Sequence, residues 1–315
     1  MHNAGLSTNQ IMRQVIYALA LGVSASYVFF GFGVIIQILL GMVSALTVEA
    51  LFLALRGRPV LESISDGSAV LTAILLAISI PSIAPWWVVV TGVAFAVIFG
   101  KQLYGGLGNN PFNPAMLGYA FLLISYPLQM TTWPVDYLSF SQVVDVVFNL
   151  LHFDGISGAT RLDDVKTSLS LGSDIATLQL QSISQAWINI GFLVGGVYLL
   201  ARKIIFWHIP AAVLSGILAM ALVISMFDSQ TYLPVQNHFL LGGTMLSAFF
   251  IATDPVSAST TPKGRLIYGF LIGVLIVVIR TYGGYPDGIA FAVLLMNMAV
   301  PLIDHYTQPK VFGRS

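Results

Sequence analysis

The sequence contains no cysteine and very little charge. Without cysteine, the chain cannot by itself form disulfides, thiolate-bound zinc or cysteine-ligated iron–sulfur clusters. Charged residues make up only 8% of the 315 residues, whereas globular domains carry about 25%. The 13 Lys and Arg balance the 13 Asp and Glu, so no generally basic surface is present and no nucleic-acid partner is expected. This composition excludes an ordinary soluble enzyme.

Apolar residues dominate the chain, at 57% of the sequence with a mean hydropathy of +0.87. A transmembrane helix needs about 20 mostly apolar residues. The pattern predicts an all-α polytopic membrane protein of about ten transmembrane helices, several of them short or broken by Gly and Pro. A polar start followed by an apolar run too long for a signal core predicts no cleavable signal peptide. The expected spans are Val15–Phe32, Val34–Leu55, Ser68–Ile83, Trp86–Gly100, Pro114–Leu128, Ala186–Ala201, Ile209–Phe227, Phe239–Ala252, Leu266–Ile279 and Gly288–Ile303.

The basic residues predict the orientation of these spans, because cytoplasmic loops are enriched in Lys and Arg. Ten spans with both termini in the cytoplasm place nearly every basic residue on the cytoplasmic side of a bacterial inner membrane. Arg280, near an outer end, is the exception. The residues that fit are Arg13, Arg56, Arg58, Lys101, Arg202, Lys203, Lys263, Arg265, Lys310 and Arg314.

This topology divides the chain into three parts. Residues 1–128 form a first transmembrane half, residues 129–185 an acidic periplasmic loop, and residues 186–315 a second transmembrane half. The apolar stretch Val143–Leu151 predicts that the loop is at least partly folded. The halves contain five spans each, and an echo between 66–69 and 287–290 suggests an inverted repeat of the kind found in transporters. The echo is short, so a chance likeness is the alternative.

One motif in the loop has two interpretations. The residues Asp154-Gly155-Ile156-Ser157-Gly158-Ala159-Thr160 are typical of a simple turn, because Asp, Gly and Ser favour turns. Alternatively, the small residues around Thr160 leave its hydroxyl accessible to a modifying enzyme.

This motif resembles the flavinylation site of two related membrane complexes, in which a dedicated transferase links FMN to threonine through a phosphoester. Residues 154–160 match that pattern at every defined position: Asp154, Ser157, Gly158, Ala159 and Thr160. Segments 65–69, 100–115, 253–257 and 283–288 likewise resemble the D subunits of Rnf complexes, and the likeness runs nearly end to end. The B subunits of sodium-pumping NADH:quinone oxidoreductases are more distant relatives.

The resemblance implies a flavin-carrying membrane subunit of an ion-translocating oxidoreductase. Such a complex couples electron transfer between ferredoxin and NAD to the movement of sodium ions or protons. Thr160 would carry covalent FMN, and a non-covalent riboflavin is a further expectation from the sodium-pumping relatives. Ferredoxin and NAD sites would belong to other subunits of the complex, so this chain contains no complete active site. A flavin transferase is the expected partner in maturation.

Four polar residues lie at or near span ends: Asp66, Asn113, Asp254 and Asp287. Acids at membrane depth are candidates for function because burying a charge there costs about 3 kcal/mol or more. They could contribute to an ion path or to a second flavin pocket. The alternative is that they cap helix starts.

Two further patterns are less specific. The glycines and Asn-Pro pairs of 100–115 exclude regular helix and match neither a P-loop nor a dinucleotide fingerprint, so the stretch reads as a broken entry into a span. The five histidines are scattered, without the spacing of metal or haem ligands, and no metal is expected.

Two alternative functions fit the same membrane fold. A stand-alone transporter or channel for small solutes or ions would share the broken helices, but it has no need of a flavin attachment motif. A structural scaffold would use the loop only for docking to other subunits.

Overall fold

The structure, a computed structural model, describes residues 7–135, 137–150, 157–160, 162, 164–165, 167, 183–227, 232–285 and 287–309. It confirms an all-α polytopic membrane protein. Within these described residues, seven helices are long and apolar enough to span a bilayer. The first half contains α1 (Thr8–Phe30), α2 (Phe32–Leu55), α3 (Val60–Ile64), α4 (Ser68–Ala77), α5 (Trp86–Gly100), a 3₁₀ turn (Gln102–Tyr104), α6 (Pro114–Ser125) and α7 (Pro127–Thr131).

The loop region contains β1 (Trp133–Pro134), α8 (Phe140–Val147) and β2 (Ser157–Gly158). The second half contains α9 (Ile183–Ala201), α10 (His208–Phe227), α11 (Val235–Leu240), α12 (Thr244–Leu246), a π-helix (Ser247–Ile251), α13 (Pro262–Tyr282) and α14 (Ile289–Thr307).

Helix starts follow local capping chemistry. Ser7 and Gln10 form a capping box at the start of α1. The side-chain oxygen of Asn113 accepts a hydrogen bond from the backbone amide of Met116 at 3.1 Å, with Pro114 as the first residue of α6. Thr261 caps α13 in the same way.

Three predicted spans differ from regular helices: the fifth, Pro114–Leu128, is interrupted at Tyr126, and the third and the eighth are broken more extensively. The third was expected to run to Ile83, but α4 ends at Ala77 and the chain continues irregularly through Pro81 and Pro85. The eighth is broken between α11 and α12, where Gly242 has a φ of +66°. Irregular backbone at membrane depth is tolerated where protein or a cavity surrounds it, and both breaks lie at such a place.

Small residues allow helices to pack closely, both between the two halves and within the second half. A Cβ on Gly195 of α9 would lie 2.0 Å from the carbonyl oxygen of Ala18 in α1, and one on Gly273 of α13 would lie 2.2 Å from that of Val213 in α10. Such contacts let helix backbones approach closely in membranes. In each half, the helix of the second predicted span packs on the helix of the fourth, and the fourth packs on the fifth. These contacts are α2 with α5 and α5 with α6 in the first half, and α10 with α13 and α13 with α14 in the second. This packing, rather than the echo between 66–69 and 287–290, supports a repeat, because the echo joins the third segment of one half to the fifth of the other.

The loop is partly folded, as expected. Val143 and Val147 of α8 pack with Leu138 against Ile83. The strands β1 and β2 pair in antiparallel register, with Trp133 opposite Gly158. Residues 151–156, including Asp154, lie outside the described residues.

Candidate functional site

A cleft that is partly open at the protein surface lies between the two halves, and the empty space in it, open solvent included, is about 1100 Å³. We call it the Thr160 cleft. Its walls are mainly apolar and aromatic and come from both halves, including Phe30, Tyr119, Trp133 and Phe192. Thr160, Gln185 and Asp287 add polar groups. Ligand pockets commonly combine apolar walls with a few polar groups in this way.

Thr160 lies on this cleft because the chain is fixed on both sides of it. On one side, the pairing of β2 with β1 holds Ser157 and Gly158. On the other side, the carbonyl of Thr160 accepts a hydrogen bond from the amide of Asp164 at 2.8 Å, which begins a helical turn. Thr160 is half-buried and Ala159 is exposed. The described attachment residues, 157–160, form one continuous segment, and Thr160 is the member that lines the cleft.

The break in the eighth predicted span, at Gly242 and Gly243, forms part of the wall of the Thr160 cleft. Asn189 donates hydrogen bonds to the carbonyls of Leu240 and Gly242, both at 2.9 Å, and accepts one from the amide of Met245 at 3.0 Å. Gln185 accepts a hydrogen bond from the amide of Gly242 at 3.0 Å. Two side chains of α9 thus satisfy the backbone groups that the break frees.

The buried Arg280 and the half-buried Asp287 form an ion pair beside the same break, with 3.1 Å between Nε of Arg280 and a carboxylate oxygen of Asp287. Arg280 also donates to the carbonyl of His238 at 2.9 Å and to the hydroxyl of Thr244 at 3.0 Å. The amide of Gly243 donates to Asp287 at 3.2 Å. This burial explains why Arg280 is the exception to the predicted topology. The enrichment of Lys and Arg on the cytoplasmic side concerns loops and not side chains that are paired inside the protein.

A second cleft also lies between the halves, with about 1260 Å³ of empty space, open solvent included, and we call it the Asn113 cleft. It is lined by Asn110, Asn113, Lys101, Asp254 and Arg265, among other residues. The side-chain oxygen of Asn110 is buried and has no hydrogen-bond partner within the described part of the chain. An unpaired buried acceptor is costly, so a ligand donor in this cleft would satisfy it.

The two clefts open at opposite ends of the molecule. Met12 lines the Asn113 cleft and Ser26 lines the Thr160 cleft, and at about 1.5 Å per residue they are about 21 Å apart along α1. The partition between the clefts is thin. Ala115 lines one cleft while Met116 lines the other.

Asn113 joins the two halves at the Asn113 cleft. Besides capping α6, its side chain donates to the carbonyl of Ile251 at 3.2 Å, and its backbone amide donates to Asn297 at 3.1 Å. Asn297 donates to the carbonyl of Ser257 at 3.0 Å and to the hydroxyl of Tyr268 at 2.9 Å. The capping interpretation is therefore confirmed for Asn113, which is also a contact between the halves.

Asp66 and Asp254 both lie at the end with the Asn113 cleft. The carboxylate of Asp254 accepts from the amide of Val256 at 3.1 Å and from the hydroxyl of Ser257 at 2.8 Å. Surrounding protein nevertheless raises the pKa of Asp254, because desolvation outweighs these two hydrogen bonds. Asp66 accepts from the amide of Ser68 at 2.7 Å.

Lys101 connects Asp66 to a carboxylate inside the membrane region. Its ammonium lies 2.5 Å from Glu49, 2.6 Å from the hydroxyl of Ser68 and 3.5 Å from Asp66. Gln102 donates to Glu49 at 2.7 Å. Glu49 is fully buried, and one of its carboxylate oxygens has no partner among the described residues.

The comparisons with known proteins agree over nearly the whole chain. The family described as "NQR2, RnfD, RnfE family" matches residues 1–313. The chain belongs to this family. A protein of Yersinia enterocolitica is 51% identical over 98% of this chain and 95% of its own length. Proteins of Erwinia tasmaniensis and Escherichia coli are each 49% identical, over 98% and 97% of this chain and 94% of their own lengths. All three are named as the D subunit of an ion-translocating oxidoreductase complex.

In this member of the NQR2, RnfD, RnfE family, the predicted site residues divide between the two ends. Thr160 and Asp287 line the Thr160 cleft, whereas Asn113 and Asp254 line the Asn113 cleft and Asp66 lies beside it. Sequence reasoning did not identify Glu49 as a site residue, nor the partners of Lys101 and Arg280. Glu49 could have been found, because an acid inside an apolar span is a signal in itself.

Proposed function

We propose that the chain is the flavin-carrying integral membrane subunit of an ion-translocating electron-transport complex of the Rnf type. The names of the relatives support membership of such a complex. The observation that carries the flavin assignment is the position of Thr160 on an apolar cleft between the two halves. In this proposal the complex relays electrons between ferredoxin and NAD modules on other subunits, coupled to sodium or proton transport.

The residues around Thr160 fit a covalently attached FMN. The hydroxyl would carry the phosphoester, and aromatic walls such as Trp133 and Tyr119 would exclude water from a flat ring. When bound, the flavin supplies the one- and two-electron chemistry, and the protein supplies position and electrostatics. Asp287 is the only charged side chain among the described residues that line this cleft. A flavin phosphate would find no exposed cation there, so a covalent bond is the suitable means of retention.

A second, non-covalent flavin of the riboflavin type is proposed for the Asn113 cleft. Its support is the buried oxygen of Asn110, which has no partner in the described part of the chain and could accept a hydrogen bond from a neutral flavin ring. Asp66, Asn113 and Asp254 at this end and Asp287 at the other are proposed to contribute to the ion route. Asn110→Ala should reduce the flavin released on denaturation while covalent flavin at Thr160 is retained. Unchanged release would remove this second site.

We further propose a bacterial inner-membrane location with the Asn113 cleft facing the cytoplasm, both termini cytoplasmic and residues 129–185 periplasmic. The support is that Arg56 and Arg58 contact the carbonyls of Gln102 and Gly105, so several basic groups gather at one end. The chain lacks cysteine, so a single introduced cysteine is the only thiol in it that a reagent can label. An impermeant thiol reagent added to intact spheroplasts should label Tyr137→Cys and not Leu103→Cys. The reverse pattern would invert the topology.

The deciding experiment is in-gel fluorescence of the denatured chain produced together with its flavin transferase. Wild type and Thr132→Ala, a matched loop threonine, should fluoresce under ultraviolet light, whereas Thr160→Ala should be dark. A dark wild-type band, with the transferase active on another substrate, would contradict the proposal.

The second candidate function is a stand-alone transporter or channel. The observation that favours it is the thin partition between two clefts that open at opposite ends. Solute or ion flux through the chain alone in liposomes, combined with a dark wild-type band, would select this alternative.

A further inference from the structure

The segment after Thr160 is seated on the membrane domain by a small apolar contact. Leu162 and Val165 are each 4% exposed, and they pack on Leu241, which is fully buried, with Leu233 beside them. We call Leu162, Val165 and Leu241 the loop dock. It is separate from the main core and from the cluster formed by α8.

The platform beneath the dock is held by buried polar contacts. Asn189 and Gln185 bind the backbone of Gly242, while the Arg280–Asp287 pair binds Gly243 and Thr244. Gly242 has a φ of +66°, and a Cβ there would lie 2.6 Å from Arg280, 2.7 Å from Asp287 and 3.0 Å from Leu162. The platform therefore has one tightly determined geometry.

The described contacts within the dock are apolar, unlike the hydrogen bonds and the ion pair of the platform. Leu162, Val165 and Leu241 contact one another through apolar side chains, and apolar contacts are non-directional. Breaking the hydrogen bonds or the ion pair of the platform would leave buried polar groups unpaired, which is costly. We therefore expect the dock residues to separate from one another before the platform opens.

Attachment of a flavin requires a transferase to reach Thr160, which closely precedes the docked residues in sequence. Thr160 is half-buried, and a hydrogen bond to Asp164 and the β1–β2 pairing constrain the backbone on either side. The transfer forms a bond between the Thr160 oxygen and the flavin phosphorus. It breaks a phosphoanhydride of a flavin dinucleotide donor and releases a nucleoside monophosphate and the hydroxyl proton. A transferase active site must surround that oxygen.

We propose that Leu162, Val165 and Leu241 are positioning residues: the dock must open for flavin transfer to Thr160 and then closes to hold the attached flavin in the cleft. This inference rests on the proposed flavin attachment at Thr160. It predicts opposite effects of one mutation on two measurements, which a purely structural role would not give.

The test uses the full-length chain, purified in detergent without prior flavin, with its transferase and FAD. Leu162→Ser and Leu241→Ser should each increase the initial rate of covalent labelling at least twofold. They should also lower the fluorescence anisotropy and the visible circular dichroism of the attached flavin. Their double mutant should add little to either single change, because both remove the same contact.

Val143→Ser is the matched control, because it disturbs the other loop cluster and should leave both measurements at wild-type values. Equal labelling rates in wild type and dock variants, or slower labelling together with an ordered flavin, would overturn the dock proposal while the flavin assignment stands. A wild-type chain that is never labelled would overturn both. Leu162→Ala provides a milder variant if the serine variants fail to fold.

Discussion

The two ends of the molecule each contain an ion pair with a buried basic residue, but opposite members of the two pairs line the clefts. At the Thr160 cleft, Asp287 lines the cleft while Arg280 is buried behind it. At the Asn113 cleft, Lys101 lines the cleft while Glu49 is buried behind it. The single acid of the Thr160 cleft opposes retention of a phosphate by charge. The Asn113 cleft is lined by two basic groups, one acid and two amide side chains, a mixed polar lining that favours polar ligands bound without a covalent link. The difference matches the proposal of one covalent and one non-covalent flavin.

The largest effect is expected from breaking the ion pair at the Asn113 cleft. Lys101→Met leaves Glu49, whose side chain is 1% exposed, as an unpaired buried carboxylate, which should cost about 3–5 kcal/mol of unfolding free energy. Arg280→Met should cost less, because the side chain of Asp287 is 18% exposed and can be hydrated. Denaturant unfolding in detergent measures both losses.

A double variant provides the control for this comparison. Glu49→Gln combined with Lys101→Met removes both charges and should recover most of the lost stability. If the single and double variants are equally unstable, the loss comes from packing and the comparison of buried charge fails.

An intermediate effect is expected from the platform beside Thr160. Gly242→Ala places a Cβ 2.6 Å from Arg280 at a φ of +66°, and such strain should lower the free energy of unfolding by about 1–3 kcal/mol. Gly284→Ala is the matched control, since a Cβ there meets nothing within 4 Å. Equal stability of the two alanine variants would show that the break is less rigid than its contacts indicate.

The smallest effect is expected for the pH dependence of thermal stability that arises from Asp254. Burial raises the pKa of its carboxyl above the ordinary value of 3.8, so the folded state favours the protonated form. The stabilising contribution is complete below that ordinary value and is lost as pH rises through the raised one. The thermal midpoint of wild type should therefore fall more steeply across this window than that of Asp254→Asn. Parallel curves would contradict a raised pKa.

The positions of the spans were largely predictable because each apolar run is a local property of the chain. The breaks within the third and eighth spans were less predictable. Pro81 and Pro85 explain why α4 ends early, yet nothing local to Phe239–Ala252 reveals the side chains of α9 that satisfy its open backbone. Those partners lie about fifty residues away in sequence.

Sequence alone therefore determined a multi-span membrane protein, and it predicts a division around an acidic loop and Thr160 as the residue of a recognisable motif. Only the tertiary structure decided that Thr160 lies on a cleft between the halves, that Arg280 is paired with Asp287, and that Glu49 meets Lys101. The physical reason is that hydropathy is read along the chain, whereas charge pairing and cavities depend on which distant segments the packing of small residues brings together.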